Sequence, residues 1–315
     1  MTRVAALDCG TNSLRLLVAD VDGATLVDVV RRMEVVRLGE GVDRTGRLSD
    51  VALARTFGVL EDYQAVIASH DVERVRMVAT SATRDATNRD AFVTGVIDRL
   101  GVAPEVVSGE DESALSFDGA TRELQGGSQV EPPYLVVDIG GGSTEFVLGD
   151  DAGPRLARSV DIGCVRMTER HLRDDPPSAP QIEAARADIN RAIDDVMTTV
   201  PFEAALTLVG LAGSVTTVVG IALGLTEYDA TRIHHARVSA EQVAEVTAHL
   251  LSASRAERAA IPIMHPGRVD VIGGGALVLD TVLTRGGYDS VVASEHDILD
   301  GIAFSTARGS AGRPG

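Results

Sequence analysis

The chain contains no lysine: all 29 of its basic residues are arginine, set against 46 acids for a formal net charge of −17. Without lysine the Gly-x-x-x-x-Gly-Lys-Ser/Thr loop cannot be completed, which excludes a P-loop nucleotide site. The shortage of positive charge also argues against nucleic acid or an anionic membrane as a partner, since both need a basic footprint. A phosphorylated substrate is not excluded, because screening over ~8 Å lets a local arginine cluster act independently of acids on a distant face. Cysteine is equally scarce. Cys9 and Cys164 are too few and too far apart for a disulfide framework or a zinc-ligand pattern. They read as reduced, buried thiols of a cytoplasmic protein.

Charge is missing altogether from Ala204 to Thr226, a run with the length of a spanning helix. Gly210, Gly213, Gly220 and Gly224 interrupt it, and Ser214, Thr216 and Thr217 make its middle polar. The run is therefore expected to be a buried strand (Leu206 to Leu211), a Gly-Ser turn and a buried helix (Val215 to Leu223). At the N-terminus Asp8 breaks the apolar stretch too early for a signal peptide. With 315 residues, 44% hydrophobic and 24% charged, the chain has the makeup of two ordinary globular domains.

What is present is a repeat. Asp8, Gly10, Ser13 and Asp20 recur in register as Asp138, Gly140, Ser143 and Asp150, each set preceded by an apolar run. Each copy reads as a strand, a tight Gly-rich turn and a second strand. One such copy is an ordinary hairpin; two in register suggest a duplicated phosphate loop. Gly10, and Gly140, Gly141 and Gly142, let backbone N–H groups approach an anion with no Cβ in the way. Thr11, Asn12, Ser13, Ser143 and Thr144 add polar side chains. Asp8 and Asp138, ending their strands, are placed to hold a divalent cation against phosphate oxygens.

Between the copies, a third strand at Ala24 to Arg32, a helix at Val51 to Ile67, a strand at Val75 to Ala79, a helix at Ala91 to Leu100, a strand at Glu105 to Val107 and a helix from Glu110 to Leu124 are expected. Gly126, Gly127, Ser128, Pro132 and Pro133 form the linker signal. The domains are accordingly expected at 1–124 and 125–301, with 302–315 packing back on the first and Arg308 to Gly315 as a disordered tail. The second half repeats the order, with a third strand around Leu156 to Val160, an amphipathic helix marked by Ile182, Ile189, Ile193 and Val196, and a Ser239–Gln242 capping box.

Duplicated strand-turn-strand loops heading two α/β units resemble the superfamily of actin, sugar kinases and acetate kinase. Within it the chain resembles the exopolyphosphatase and guanosine pentaphosphate phosphohydrolase family over nearly its whole length. The matching motifs are Asp8-Cys9-Gly10-Thr11-Asn12-Ser13-Leu14-Arg15-Leu16, Ala79-Thr80-Ser81-Ala82-Thr83-Arg84-Asp85-Ala86-Thr87-Asn88, Ser108-Gly109-Glu110-Asp111-Glu112, Asp138-Ile139-Gly140-Gly141-Gly142-Ser143-Thr144-Glu145, Gly163-Cys164-Val165-Arg166, and Arg268-Val269-Asp270-Val271-Ile272 running into Gly273, Gly274 and Gly275. The resemblance implies two actin-like domains with a phosphate-binding cleft and magnesium-dependent release of orthophosphate from inorganic polyphosphate. The alternative is hydrolysis of guanosine pentaphosphate.

From spacing alone, Glu110, Asp111 and Glu112 read as acids complementing a helix dipole. The family motif makes Glu112 the general base, and crowding of the three is expected to raise at least one carboxyl pKa. Asp138 and Glu145 are the implied carboxylates for magnesium and water, with Asp8 opposite. Arg84 and Arg268 are the implied phosphate contacts, and Arg15, Arg89 and Arg166 are weaker candidates. His234 and His235, with Arg232 and Arg237, read as a solvated face able to meet a long polyanion. Where the family carries a Leu-Arg-x-Gly run after a serine, Ser294 is here followed by Ile298-Leu299-Asp300-Gly301, so a basic group is missing at Leu299. Longer members continue into a further helical domain, so a two-domain core is implied, with a homodimer left open. An ATP-dependent kinase is disfavoured, and a non-catalytic polyphosphate or nucleotide sensor is the alternative outside enzymes.

Overall fold

The computed structural model describes residues 1–122 and 130–309. The linker residues Gly126, Gly127 and Ser128, and 310–315 of the expected tail, lie outside them. The chain divides into two compact units, Met1–Arg122 with Asp297–Gly315, and Glu123–His296. The return to the first unit thus starts at Asp297, ahead of residue 302, because Asp297 is the N-cap of the helix Ile298–Arg308 that packs there. Arg308 closes that helix and bonds Asp118 at 2.9 Å.

The first unit holds strands β1 (Thr2–Cys9), β2 (Ser13–Asp22), β3 (Thr25–Val35), β4 (Arg74–Ala79) and β5 (Glu105–Val106) in the order β3-β2-β1-β4-β5. β1 pairs antiparallel with β2 and parallel with β4. The strand period of two splits its core. Ala5, Leu7 and Cys9 face one way, toward Leu53 and Leu60 of the helix Asp50–Ala68 and Phe92 of the helix Arg89–Leu100. Val4 and Ala6 face the other, toward Ile298, Leu299 and Ile302 of the return helix. Asp8 and Arg15 share that second face. Leu299 is a core residue there, 1% exposed, so the position of the missing arginine is filled by apolar packing.

The second unit runs β6 (Tyr134–Ile139), β7 (Thr144–Asp150), β8 (Gly153–Val160), β9 (Thr207–Leu211), β10 (Arg237–Ser239) and β11 (Ser290–Ala293), in the order β10-β11-β9-β6-β7-β8. The first four repeat the pairings of β1 to β4: antiparallel β6-β7 and β7-β8, parallel β6-β9. The sequence repeat is therefore a structural one, and the α/β duplication read from it is what the chain adopts. Leu135, Val137, Ile139 and Phe146 enter one large core with the helices Ala179–Met197 and Ile272–Gly286. Asp138 and Glu145 face the other side of the sheet.

The uncharged run is β9 followed by the helix Ala212–Ala222. No helix of the described residues is long and apolar enough to cross a membrane. The Ser239–Gln242 capping box is present. The sequence reading assigned no element to Ser81–Asp85 or Ile272–Gly286; both are helices.

Candidate active site

Within the first unit, the hairpin turn between β1 and β2 is closed by Gly10 N–H donating to the Ser13 carbonyl at 3.0 Å. The Thr11 carbonyl accepts from Gly39, and the Asn12 carbonyl from both Val36 and Arg37. In a trans peptide the C=O and the next N–H point in opposite directions. Committing those carbonyls to the Val36–Gly39 segment therefore turns the N–H groups of Asn12 and Ser13 the other way. Close approach requires glycine at Gly39, where a Cβ would stand 3.0 Å from Ala82 Cβ and closer to Thr11.

The Ala79–Asn88 motif abuts this turn. Thr80 N–H donates to the Cys9 carbonyl at 3.2 Å, and the Thr11 and Ser81 hydroxyls lie 2.9 Å apart. One turn later Arg84 donates from Nη1 to the Val107 carbonyl at 3.0 Å and to Glu112 Oε2 at 3.1 Å. Glu112 lies on the helix Gly109–Thr121, capped by Ser108, whose Oγ accepts from Asp111 N. Glu110 and Asp111 are exposed while Glu112 is 8% exposed. The three acids thus do not share one environment: the helix turns Glu112 inward, onto Arg84.

In the second unit the loop is braced by a helix start. The carbonyls of Gly140, Gly141 and Gly142 accept from Cys164, Val165 and Gly163 at 2.9, 2.9 and 3.1 Å. By the same peptide geometry the N–H groups of Gly141, Gly142 and Ser143 face away from that helix as a three-donor nest, the arrangement that receives phosphate. Gly163 must be glycine, since a Cβ would stand 2.5 Å from Gly142 N. Arg166 donates to the Gly142 carbonyl at 2.8 Å, and so braces the loop from behind.

Register brings Asp138 directly opposite Glu145 across β6 and β7. They are 7% and 1% exposed, and Ser159 donates to Glu145 Oε1 at 2.7 Å. The matching pair in the first unit is Asp8 opposite Arg15. Arg15 donates to Asp8 Oδ2 at 2.9 and 2.6 Å and also bonds Asp297, so it is held by acids. Asp8 Oδ1 is buried with no hydrogen-bond partner. Burial pushes the Asp8 carboxyl upward despite Arg15. Among the described residues no three metal-ligating side chains form a ready cage. Magnesium is usually held by one or two carboxylates plus water and substrate oxygens. Asp138 and Glu145 in the second unit are carboxylates of the kind that could hold such a cation, and in the first unit the orphaned Asp8 Oδ1 is a separate candidate.

Arg268 Nη1 donates to Thr217 Oγ1 at 3.1 Å, and its guanidinium lies on Gly213, where a Cβ would be 2.6 Å from Nε. Ala212, at the strand-to-helix junction, holds φ 67°, a left-handed conformation uncommon outside glycine. Ser214 Cβ lies 2.6 Å from where a Gly275 Cβ would be. The sequence placed a strand, a Gly-Ser turn and a helix at this junction, as found, but gave no sign that Arg268 lies on it. Arg89 is exposed at a helix start. Both cysteines are buried, and burial pushes both thiols up, for Cys9 with help from Asp8.

Residues 17–308 match the model of the Ppx/GppA phosphatase family. The chain belongs to that family. It is 49% identical to Exopolyphosphatase 2 of Mycobacterium tuberculosis over 98% of this chain and 99% of that protein. It superposes on the crystal structure of an exopolyphosphatase-like protein with TM-score 0.94 at 45% identity, covering 98% of this chain and 99% of the other. A crystal structure of the Aquifex aeolicus Ppx/GppA family member gives TM-score 0.81 at 28% identity, with 99% of each chain covered.

Proposed function

We propose that this Ppx/GppA member is a cytoplasmic exopolyphosphatase that hydrolyses the terminal phosphoanhydride of inorganic polyphosphate. The observation that carries the chemistry is Glu112: a buried carboxylate at a helix start, held by Arg84, whose own segment abuts the first hairpin through Thr80 and Ser81. On this reading Glu112 takes a proton from the attacking water as the water oxygen bonds the terminal phosphorus. The bridging P–O bond breaks, and the proton is passed on to the phosphate products. The N–H groups of Asn12 and Ser13 and the nest of Gly141, Gly142 and Ser143 hold phosphoryl oxygens, with the Thr11 and Thr144 hydroxyls beside them. Arg84 and Arg268 neutralise charge on the phosphates. Magnesium would be held by Asp138 and Glu145, with Asp8 the further candidate carboxylate on the first hairpin, and would neutralise charge on phosphate oxygens.

Polyphosphate is favoured over guanosine pentaphosphate by the name of the 49% identical relative. Orthophosphate release from polyphosphate, guanosine pentaphosphate and ATP, with and without magnesium, tests the proposal. Release from polyphosphate that requires magnesium is expected. Release confined to guanosine pentaphosphate would transfer the assignment to the alternative, and no release from any of the three would remove it.

A further inference from the structure

The pair His234 and His235 is not the solvated face that the sequence suggested. Both rings are half-buried and stacked, centroids 3.7 Å apart, and His296 lies 4.8 Å from His234 on another segment. His235 holds φ 61°. His234 Nδ1 accepts the backbone N–H of Glu295 at 3.1 Å, which puts the proton of a neutral ring on Nε2. Glu295 in turn holds Tyr228: the phenol donates to Glu295 Oε1 at 2.7 Å and lies 3.0 Å from Thr216 Oγ1. Thr216 adjoins Thr217, the residue on which Arg268 rests.

We infer that Tyr228 and Glu295 are positioning residues that transmit the protonation state of the three-histidine stack to Arg268, setting its grip on phosphate. An imidazolium is a donor at both nitrogens, so a proton on His234 Nδ1 meets the Glu295 N–H head-on and the contact must open. The same proton places a charge against two stacked rings. Charged groups next to the stack in sequence are Arg232 and Arg237, and Glu295 adjoins His296 and donates its N–H to His234. Asp229 is engaged in capping its helix, bonding Thr231 N and Arg232 N. When the Glu295 segment shifts, the carboxylate that holds Tyr228 moves with it, and Thr216, beside Thr217 in the helix Ala212–Ala222, loses its phenol contact. Imidazoles ordinarily titrate near pH ~6.5, so phosphate affinity on the Arg268 side is expected to fall on mild acidification.

The inference rests on the proposed phosphate role of Arg268, so the test separates the two. His234→Asn keeps an acceptor near the Nδ1 position but cannot take the proton, and Tyr228→Phe cuts the relay. NMR of the whole chain should show the Arg268 Nε–H signal following the His234 ring titration in the parent protein and ceasing to do so in either variant. An Arg268 signal that ignores the titration, or follows it equally in Tyr228→Phe, overturns the relay. Calorimetry with tripolyphosphate and magnesium should show affinity falling about tenfold from pH 7.5 to 5.5 in the parent and roughly threefold or less in His234→Asn. Equal falls overturn the inference. Absence of tripolyphosphate binding at both pH values refutes the phosphate reading instead, and the NMR coupling then decides the relay by itself.

Discussion

The helix that carries Glu112 meets the return helix through two glycines, and one added methyl group tests how much that contact matters. At Gly119 a Cβ would stand 2.8 Å from the carbonyl carbon of Asp297 and 2.9 Å from Gly301 N. At Gly301 a Cβ would stand 2.8 Å from the Leu115 carbonyl carbon and 3.2 Å from its Cα. These are backbone atoms, which cannot rotate aside. Carbon atoms pack at ~3.5–4.0 Å, so Gly119→Ala must drive the helices roughly 1 Å apart. Overpacking of this kind costs ~1–3 kcal/mol, against which alanine in a helix returns up to ~1 kcal/mol, leaving a net loss of about 1–2 kcal/mol. The control is Gly58→Ala in the helix Asp50–Ala68, where nothing lies within 4 Å of the new Cβ and the helix-propensity gain stands alone.

The separation also has a functional reading. Asp297 is the residue Arg15 holds, and Arg15 braces Asp8 of the first hairpin, so the displaced contact loosens that hairpin from behind. Urea unfolding with hydrogen exchange on the amides of Ile298–Arg308, together with turnover, is the assay. Gly119→Ala should lose stability and protection in that helix, and turnover should fall with them, while Gly58→Ala gains stability at parent-like turnover. Equal stability of the two variants would refute the steric argument. Lost stability with unchanged turnover would refute the link to the hairpin.

Glu112→Gln should bind polyphosphate yet lose hydrolysis by roughly 10²–10⁴-fold, measured as orthophosphate release beside calorimetric binding; parent-like turnover would remove Glu112 from the mechanism. Asp138→Asn should weaken magnesium affinity in the presence of a substrate analogue, since an amide is a poorer ligand for a hard cation, and unchanged affinity by calorimetry would count against that carboxylate. Asp188 is raised by burial but pulled below the usual carboxylate range by His171 at 2.9 Å and by Arg170 and Arg191. Its stabilisation is therefore complete above the ordinary pKa near 4 and disappears as pH falls through the depressed value. Asp188→Asn should cost about 1 kcal/mol in urea unfolding at pH 6 and converge with the parent as pH falls through the depressed value, a cost that does not change with pH being the contrary result.

The hairpins, the helix bearing Glu112 and the order of the elements were legible because each depends on neighbours in sequence: alternating apolar residues, a cap, a glycine turn. What was not legible depends on distant partners. Nothing near Arg15 announces Asp297, which reaches it only because β1 and β2 turn their even and odd residues toward the return helix. Nothing near His234 announces Glu295 or His296. The helix Ile272–Gly286 was hidden for a different reason. Gly273, Gly274 and Gly275 at its start oppose helix formation by up to ~1 kcal/mol each, and the last two are required by packing: a Cβ at Gly274 would stand 2.7 Å from the Cys164 carbonyl oxygen, and one at Gly275 2.6 Å from Ser214 Cβ.

The two hairpins share strand pairing, and beside the turn they differ in charge at one register position. Opposite its aspartate the first carries Arg15 and the second carries Glu145. Because side chains at paired positions face the same side of a sheet, that one difference sets the charge behind each loop. In the first unit the acids Asp8 and Asp297 are bridged internally by a guanidinium, which holds the turn in place and leaves its N–H groups to meet an anion. In the second, two carboxylates lie side by side where a divalent cation would lower their mutual repulsion, below a nest of N–H groups. On the proposed reading the duplicated loops are therefore not two copies of one site: the first is braced by a guanidinium, and the second presents two carboxylates to a metal. Arg15→Glu would erase the difference by adding a third acid to Asp8 and Asp297 with no guanidinium between them. Its cost should be at least the ~3–5 kcal/mol of breaking a buried pair.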